Sequence, residues 1–342
     1  MTAAARALGW QGYMGRGTQG AAVETAVVAT EFQQLYSAGM KTERPDKAIK
    51  PTIRGARKKT NVVKGNKSTA GGYTGPLIPD EIMAAIGWAD LLGNNNTVSG
   101  SAGVGFTHVL LEPTTSAHYP TYGTTLETNK GSSNTSLMFD FIGSFLKALT
   151  ISVPESGEAT WSSEYVGVSE VTGGTASSTS YSTVNSFETC MIDIQIGATI
   201  SSTTAVEYKS AEFKYDNGVS MLFRGNSCTP VGRAYAPIPM VTTTINADLT
   251  ESLTEYNYWI NDTNFAIKII MTHTTLAGTA SGVHSITIEL PRNQMMGDPP
   301  ELGSAEEIPQ ITYNCEALTH ETLGYMAKIT IVNSDSGAYT GL

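Results

Sequence analysis

The chain has 342 residues, a net charge of −10 and only 15% charged residues, against roughly 25% in an average soluble protein. Gly, Ser, Thr and Asn take up the difference, which favours strands and turns over long helices. The length accommodates two domains with proper cores; no apolar run approaches the ~20 residues of a membrane span, and the start, MTAAARALGWQGYMGRGTQG, lacks the apolar stretch of a signal peptide, so cytosolic synthesis without a membrane anchor is expected.

Residues 1–40, with small apolar stretches such as AAVETAVVA, read as an irregular or partly stranded opening. The next segment concentrates charge. Lys41, Arg44, Lys47, Lys50, Arg54, Arg57, Lys58, Lys59, Lys64 and Lys67 are ten of the 21 basic residues, opposed only by Glu43 and Asp46. The segment therefore carries 10 − 2 = +8 and leaves 11 − 29 = −18 on the rest of the chain. Its Pro45, Pro51, Gly55 and Gly65 point to an extended loop. A basic arm on an acidic body suits either nucleic acid or the acidic body of a neighbouring copy. The second is favoured, because an acidic surface repels phosphate; a solvated loop with no partner is the plain alternative.

Leu77 to Gly93 is the best helix candidate. Pro79 suits a first turn, Asp80 and Glu81 favour the positive helix start, and Ile82, Ala85, Ile86 and Ala89 share a face. LGNNNTVSGSAG after it reads as a loop. Strands are predicted at THVLLEP (from Thr107), SLMFDFIG (from Ser136), ALTISVP (from Ala148), TCMIDIQIGATI (from Thr189), EFKYDNGVSMLF (from Glu212), FAIKIIMTH (from Phe265), HSITIELP (from His284) and AKITIVN (from Ala327). In TCMIDIQIG, alternation sets Met191, Asp193 and Gln195 against Ile192, Ile194 and Ile196, the pattern of half-buried strands in antiparallel sandwiches or barrels. A second short helix follows Asp248 and Thr250 as capping candidates.

The chain also repeats itself at half its length. Leu249, Glu251, Leu253 and Trp259 fall where Ile78, Asp80, Ile82 and Trp88 do, an offset of 259 − 88 = 171 residues, and 342/2 = 171. Pro154 to Glu164 resembles Pro300 to Glu316 once six extra residues are allowed before the Thr. Two matches in the same order suggest two copies of one domain, 1–175 and 176–342, linked through the Ser/Thr-rich stretch between them. In the second match, Thr160, Ser162 and Glu164 point away from Trp161, Ser163 and Tyr165, and Thr312, Asn314 and Glu316 away from Tyr313, Cys315 and Ala317. Each copy thus pairs a polar, acid-ended face with an apolar one, and an ordinary solvent face explains this as well as a functional one.

Catalytic patterns are scarce. His108, His118, His273, His284 and His320 show no HExxH spacing, and His108 and His273 read as structural. There is no GxSxG, Walker loop or GxGxxG; GYMGRG is not framed by the strand and Lys-Ser/Thr of a phosphate site. Glu306 and Glu307 lie in a Pro-rich loop, where a solvated charge run is the default. Cys190, Cys228 and Cys315 are odd in number and without a CxxC, which argues against a disulfide framework or zinc knuckle; they read as buried free thiols. No enzyme, metal or cofactor is implied.

The runs GYMGRGTQG, TEFQQLYSAGMKTERPDKAIKPTIRGARK and GGYTGPLIPDEI resemble the opening of the tail tube proteins of long-tailed bacteriophages, in the larger form with two tube domains per chain. SLMFDFIGSFLKALTISVPESGEATW is similar to the family's central hairpin and strand, and SITIELPRNQMMGDPPELGSAEEIPQITYNCEAL, with AKITIVN, to its closing strands. The inserts SGSAGVG and GVSEVTGGTASSTSYSTVNS depart from it. The resemblance implies a mainly β chain of two tandem β-sandwich or barrel tube domains, each flanked by a short helix, with a long basic loop. It implies a virion protein, assembled in the host cytoplasm, whose stacked rings form a hollow tube. DNA passes through that tube without specific binding. A tape-measure protein occupies the lumen beforehand, and tail terminator and distal tail proteins sit at the ends. Single-domain members form hexamers, so a two-domain chain implies a trimer with pseudo-sixfold symmetry. In that setting the basic segment is an inter-ring contact, poorly ordered in the free subunit. The lumen is expected to be acidic and lined by Glu164 and Glu316 with Thr160, Ser162, Thr312 and Asn314, then Asp193 and Glu289. The runner-up is a soluble β-sandwich binding module, such as a glycan-binding virion protein or adhesin.

Overall fold

A computed structural model describes residues 12–19, 25–44, 46–48, 62–93, 96–112, 123–130, 138–174, 176–225, 227–236, 238–248, 254–297, 310–337 and 339. Lys50, Arg54, Arg57, Lys58, Lys59, His118, residues 249–253 with the capping candidate Thr250, and Glu306–Glu307 lie outside them. The described chain is mainly β, with two short α-helices.

The first half runs β1 (Tyr13–Thr18), β2 (Glu31–Gln33), β3 (Ser37–Ala38), β4 (Lys41–Glu43), β5 (Asp46–Ala48), β6 (Val62–Lys64), β7 (Ser68–Pro76), α1 (Ile86–Leu92), β8 (Asn96–Ser101), β9 (Gly105–Leu111), β10 (Thr124–Asn129), β11 (Met138–Val153), β12 (Thr160–Gly167) and β13 (Ser169–Thr172). The second runs β14 (Ile192–Gly197), β15 (Thr204–Ala205), β16 (Ser210–Asp216), β17 (Ser220–Leu222), β18 (Gly232–Ala234), β19 (Met240–Asp248), α2 (Thr254–Ile260), β20 (Phe265–Leu276), β21 (Val283–Met296), β22 (Gln310–Ala317) and β23 (Lys328–Asn333).

Their antiparallel pairing is the same twice over. In one layer β2–β1–β10–β11–β13 is matched by β15–β14–β20–β21–β23. In the other, β4–β7–β12–β11 is matched by β16–β19–β22–β21. The long strands β11 and β21 belong to both layers because each changes partners midway. SLMFDFIG and ALTISVP, predicted as two strands, are therefore one strand of 16 residues. In β11 the change falls at Gly143, whose φ of 61° only glycine adopts without strain. In β21 it falls at Pro291, which has no N–H to give a ladder.

The two halves are joined edge to edge where β16 pairs with the second half of β11. A single core cluster holds Trp88, Trp161 and Tyr165 from the first half with Phe213, Ile245, Ile269 and Tyr313 from the second. Helix α1 lies inside it: Trp88 is 0% exposed, with its ring 5.7 Å from Phe213, and Asn217 Nδ2 donates to the Leu91 carbonyl. The helix begins at Ile86, nine residues after the predicted start at Leu77. Glu81, expected near the helix start, is buried instead, accepting from Gln33 Nε2 (2.6 Å), Gln34 N and Gln34 Nε2 (both 2.8 Å). A second charged group lies in the core. Arg16, fully buried, donates through Nε (2.8 Å) and Nη2 (2.5 Å) to Asp90 and through Nη1 (2.9 Å) to Glu31. Breaking a buried pair of this kind from one side costs about 3–5 kcal/mol.

The LGNNNTVSGSAG segment is not a loop: it contributes β8, which pairs with β9, and β9 extends the second half's layer through β23. The turn between β8 and β9 seats on the turn between β20 and β21. Ala280 N and Ser281 N donate to the Gly103 carbonyl (3.0 and 2.9 Å), and a Cβ on Gly282 would stand 1.9 Å from the Val104 carbonyl oxygen. The basic segment is likewise partly stranded, since β4 pairs with β7 and β5 with β6. Asp248, a capping candidate, ends β19 instead. Of the three thiols expected to be buried, Cys190 and Cys228 are exposed and only Cys315 is in the core.

Near this junction His273 (β20) and His284 (β21) are buried, with His284 Nδ1 3.3 Å from Asp80 Oδ1. Burial holds both imidazoles below their ordinary pKa, with Asp80 opposing it for both and Glu188 also for His273. The unfolded chain, with histidines titrating near 6.5, thus binds these protons more readily than the folded one. The contribution of this pair to stability is expected to be full above about pH 6.5 and to be lost as pH drops below it toward the folded-state values. Urea midpoints measured from pH 7.5 to 5 for the wild type and the His273→Gln/His284→Gln variant should differ by this slope, the wild type losing more stability toward pH 5; an identical pH dependence would place the acid sensitivity elsewhere.

Candidate functional site

The polar faces read from the two matched strands lie on one surface. In β12, Trp161, Ser163 and Tyr165 are buried, Thr160 and Ser162 are half-buried and Glu164 is exposed. In β22, Tyr313, Cys315 and Ala317 are buried, while Thr312 and Asn314 are exposed and Glu316 is half-buried. Because β11 and β16 join the layers, these residues fall in continuous rows. One row runs Ser37, Thr74, Ser162, Thr150, Lys214, Thr242, Glu316, Gln294, and the next contains Thr160, Ser152, Glu212, Thr244, Asn314 and Met296. Short hydroxyl and amide side chains bond across strands, as in Thr312 Oγ1 to Asn246 Oδ1 (2.8 Å) and Asn246 Nδ2 to Ser210 Oγ (2.8 Å).

The charge on this face is less one-sided than expected. Lys147 Nζ sits 2.9 Å from Glu164, and Lys214 Nζ 3.8 Å from Asp216. The hydrogen bond to Glu164 raises the Lys147 pKa above its ordinary value and keeps it charged. Glu164, Glu212, Asp216 and Glu316 stand against Lys147 and Lys214. Of the two lysines, strict alternation hides Lys147. It lies at the register shift between Leu146 and Ala148.

Asp193 and Glu289 do not share this surface. They belong to the other layer, where Asp193 accepts from Gln195 Nε2 (2.6 Å) and Glu289 sits between Lys268 (3.7 Å) and Lys328. Among the arm residues, Lys41 and Arg44 are exposed and Lys67 is half-buried; Lys47 and Lys64 are on the β5–β6 hairpin. A second arm, β17–β18, springs from the same place in the second half and carries exposed Leu222, Phe223 and Val231. The arms touch where Lys67 N donates to the Cys228 carbonyl (2.8 Å). The sequence hinted at this second arm only through the turn residues Asn217 and Gly218, inside what reads as one strand. Among the described residues no group of His, Cys, Asp or Glu is placed to hold a metal, and no helix is long and apolar enough to cross a membrane.

The described chain thus combines a mainly β fold, a polar, small-residue sheet face and two arms. Residues 15–317 match the sequence model of phage tail tube proteins, and the chain belongs to that family. It is a structural component of the virion that self-assembles into a tube. No curated protein matches the chain.

The orientation of β22 is checked by its cysteine. Burial pushes the Cys315 thiol up to about 12, whereas Cys190 and Cys228 are exposed. At pH 8 the native chain is expected to take up maleimide at Cys190 and Cys228 and at Cys315 only after unfolding. A cysteine placed at Asn314 should label in the native chain; the reverse pattern would turn the polar face inward.

Proposed function

We propose that three chains close into a ring with pseudo-sixfold symmetry, that rings stack into the tail tube, and that the polar sheet face lines the channel through which DNA leaves the virion. Each chain supplies two tube domains, 1–175 and 176–342. The tape-measure protein fills the channel before ejection, and terminator and distal tail proteins close the ends.

The observation that carries this reading is the β11–β16 junction. Its two edges recur unpaired: among the described residues, nothing pairs with the outer side of β3 and β4, the counterparts of β16, or with the free side of Gln294–Met296, the counterpart of β11. Ala148 opposite Asp216 and Thr150 opposite Lys214 translate into Gln294 opposite Lys41 and Met296 opposite Gly39 of the next chain. Exposed apolar residues border these edges, with Tyr36 at 58%, Ile260 at 53% and Met296 at 47%. Ring closure would cover them and remove open edges that otherwise invite aggregation.

The channel wall then consists of Thr160, Ser162, Glu164, Thr312, Asn314 and Glu316 with their neighbours, and Asp193 and Glu289 fall on the outside. Short polar side chains and a modest excess of carboxylates give DNA no cationic surface on which counterion release could hold it.

In a chain with Cys190 and Cys228 replaced by Ser, Gln294→Cys with Lys41→Cys should yield, on mild oxidation of assembled protein, a covalent closed species of three chains. A closed species of six chains would overturn the trimer. Changing Glu164 and Glu316 to Lys should leave tubes intact but slow DNA ejection, most at low salt, where screening is weakest; ejection at the normal rate through Lys-lined tubes would remove these residues from the channel.

A further inference from the structure

We infer that Glu316 on the polar sheet face is completed by Lys41 of the next chain, an ion pair across the seam that rests on the ring reading. Within one chain the two matched carboxylates are served unequally. Lys147 Nζ bonds Glu164 at 2.9 Å. It can do so because the register shift between Leu146 and Ala148 inserts a residue into β11. In the second half, β21 passes the same place without a shift. Asn293 and Gln294 lie opposite Ala317 and Glu316, so no residue stands where Lys147 does. Asn293 is fully buried and donates to the Phe265 and Leu290 carbonyls (3.2 and 2.8 Å). Among the described residues, no Lys or Arg pairs with Glu316.

The absent cation would arrive with the absent neighbour. At the internal junction, Ala148 lies between Glu164 on β12 and Asp216 on β16. The same step at the open edge sets Gln294 between Glu316 and the position that Lys41 of the next chain would fill. An acid at the internal junction thus becomes a lysine at the seam, where the inserted Lys147 is lacking. Lys41 is on the required side of its strand. Met40 is buried in the core, and alternation turns Lys41, its side chain 67% exposed, onto the polar face. Two strand spacings, roughly 10 Å, separate the backbones of Glu316 and Lys41, and the two long side chains close that gap from either end.

The groups around the seam leave this pair free to form. Gln294, which lies between, gives its amide to Asp262 Oδ1 (2.5 Å). Lys214, two strands to the other side of Glu316 through Thr242, stands 3.8 Å from Asp216. Lys41 meets Glu43 at 3.7 Å with both side chains exposed, a contact that holds weakly. The seam pair takes one residue from each of two different edges, so it supports a head-to-tail ring and not a two-fold contact. It also gives the lysine beside the DNA path its own counter-charge, which lessens its hold on phosphate.

Charge exchange tests this, with the protein concentration at which rings close, measured by light scattering, as the readout. Lys41→Glu and Glu316→Lys should each raise that concentration roughly five- to tenfold at low ionic strength and much less at high salt; above it, tubes still form. Lys41→Glu/Glu316→Lys should return it to within about twofold of the wild type, the coupling expected of residues in contact. The exchange Lys41→Glu/Glu212→Lys, identical in net charge but with a carboxylate away from the seam, should give no rescue. Single variants that close like the wild type, or equal rescue by Glu212→Lys, would overturn the pair. Failure of the wild type to form rings, or of Gln294→Cys/Lys41→Cys to give a closed covalent species, would count against the ring reading instead.

Discussion

Six residue pairs, from Ala148–Val153 against Ala211–Asp216, join the two halves of the chain by backbone pairing. Both surfaces of the molecule depend on them. On the inner side of that pairing, Phe213 is carried under Trp88 and helix α1 becomes fully enclosed. On the other side, Thr150 and Lys214 bridge the row that starts at Ser37 and ends at Gln294. Had the halves been joined by a linker alone, each would present an unpaired edge and a partly covered helix. That is the state in which α2 stands, with Trp259 half-buried and Ile260 exposed. The difference between the helices is therefore a matter of which neighbour is present, more than of their own residues.

Charge inside the core follows the same division. The first half buries Arg16 against Asp90 and Glu31, and the second carries Asn261 where the repeat would put Asp90. Desolvating such groups is costly unless their hydrogen bonds are met, and the two-pronged contact of Arg16 with Asp90 meets them while fixing the angle of α1. A helix enclosed on all sides needs such a directional contact, since apolar packing alone is tolerant of rotation.

Much of this was legible in the residues. Alternation in TWSSEY and TYNCEA assigned the faces of β12 and β22 correctly, because both strands are half-buried and free of bulges. The tryptophans paired by the half-length offset both fall on helices. What escaped was decided by contacts distant in sequence. The start of α1 moved because Glu81 bonds Gln33 and Gln34 in preference to a helix terminus. Lys147 reached the polar face through a bulge. The strand β8 formed in a Gly/Ser/Asn stretch with weak strand propensity, because β9 offered it a free edge. That Asp193 and Glu289 lie in a different layer from Glu164 could not be read from alternation, which gives a side of a strand but not which sheet the strand joins.

The two arms show how far two halves with one strand order can differ. Identical subunits must present identical projections, so any change in one is a change in all. Here the joined halves share a strand order but not a surface. One arm bears lysines and arginines, and the other exposes Leu222, Phe223 and Val231. Both leave the sheet beyond the last paired residues of β4 and β16, so their chemistry can drift without disturbing the ladder that joins the halves. The part of the chain that pairs between the halves is thus kept apart from the part that is free to specialise.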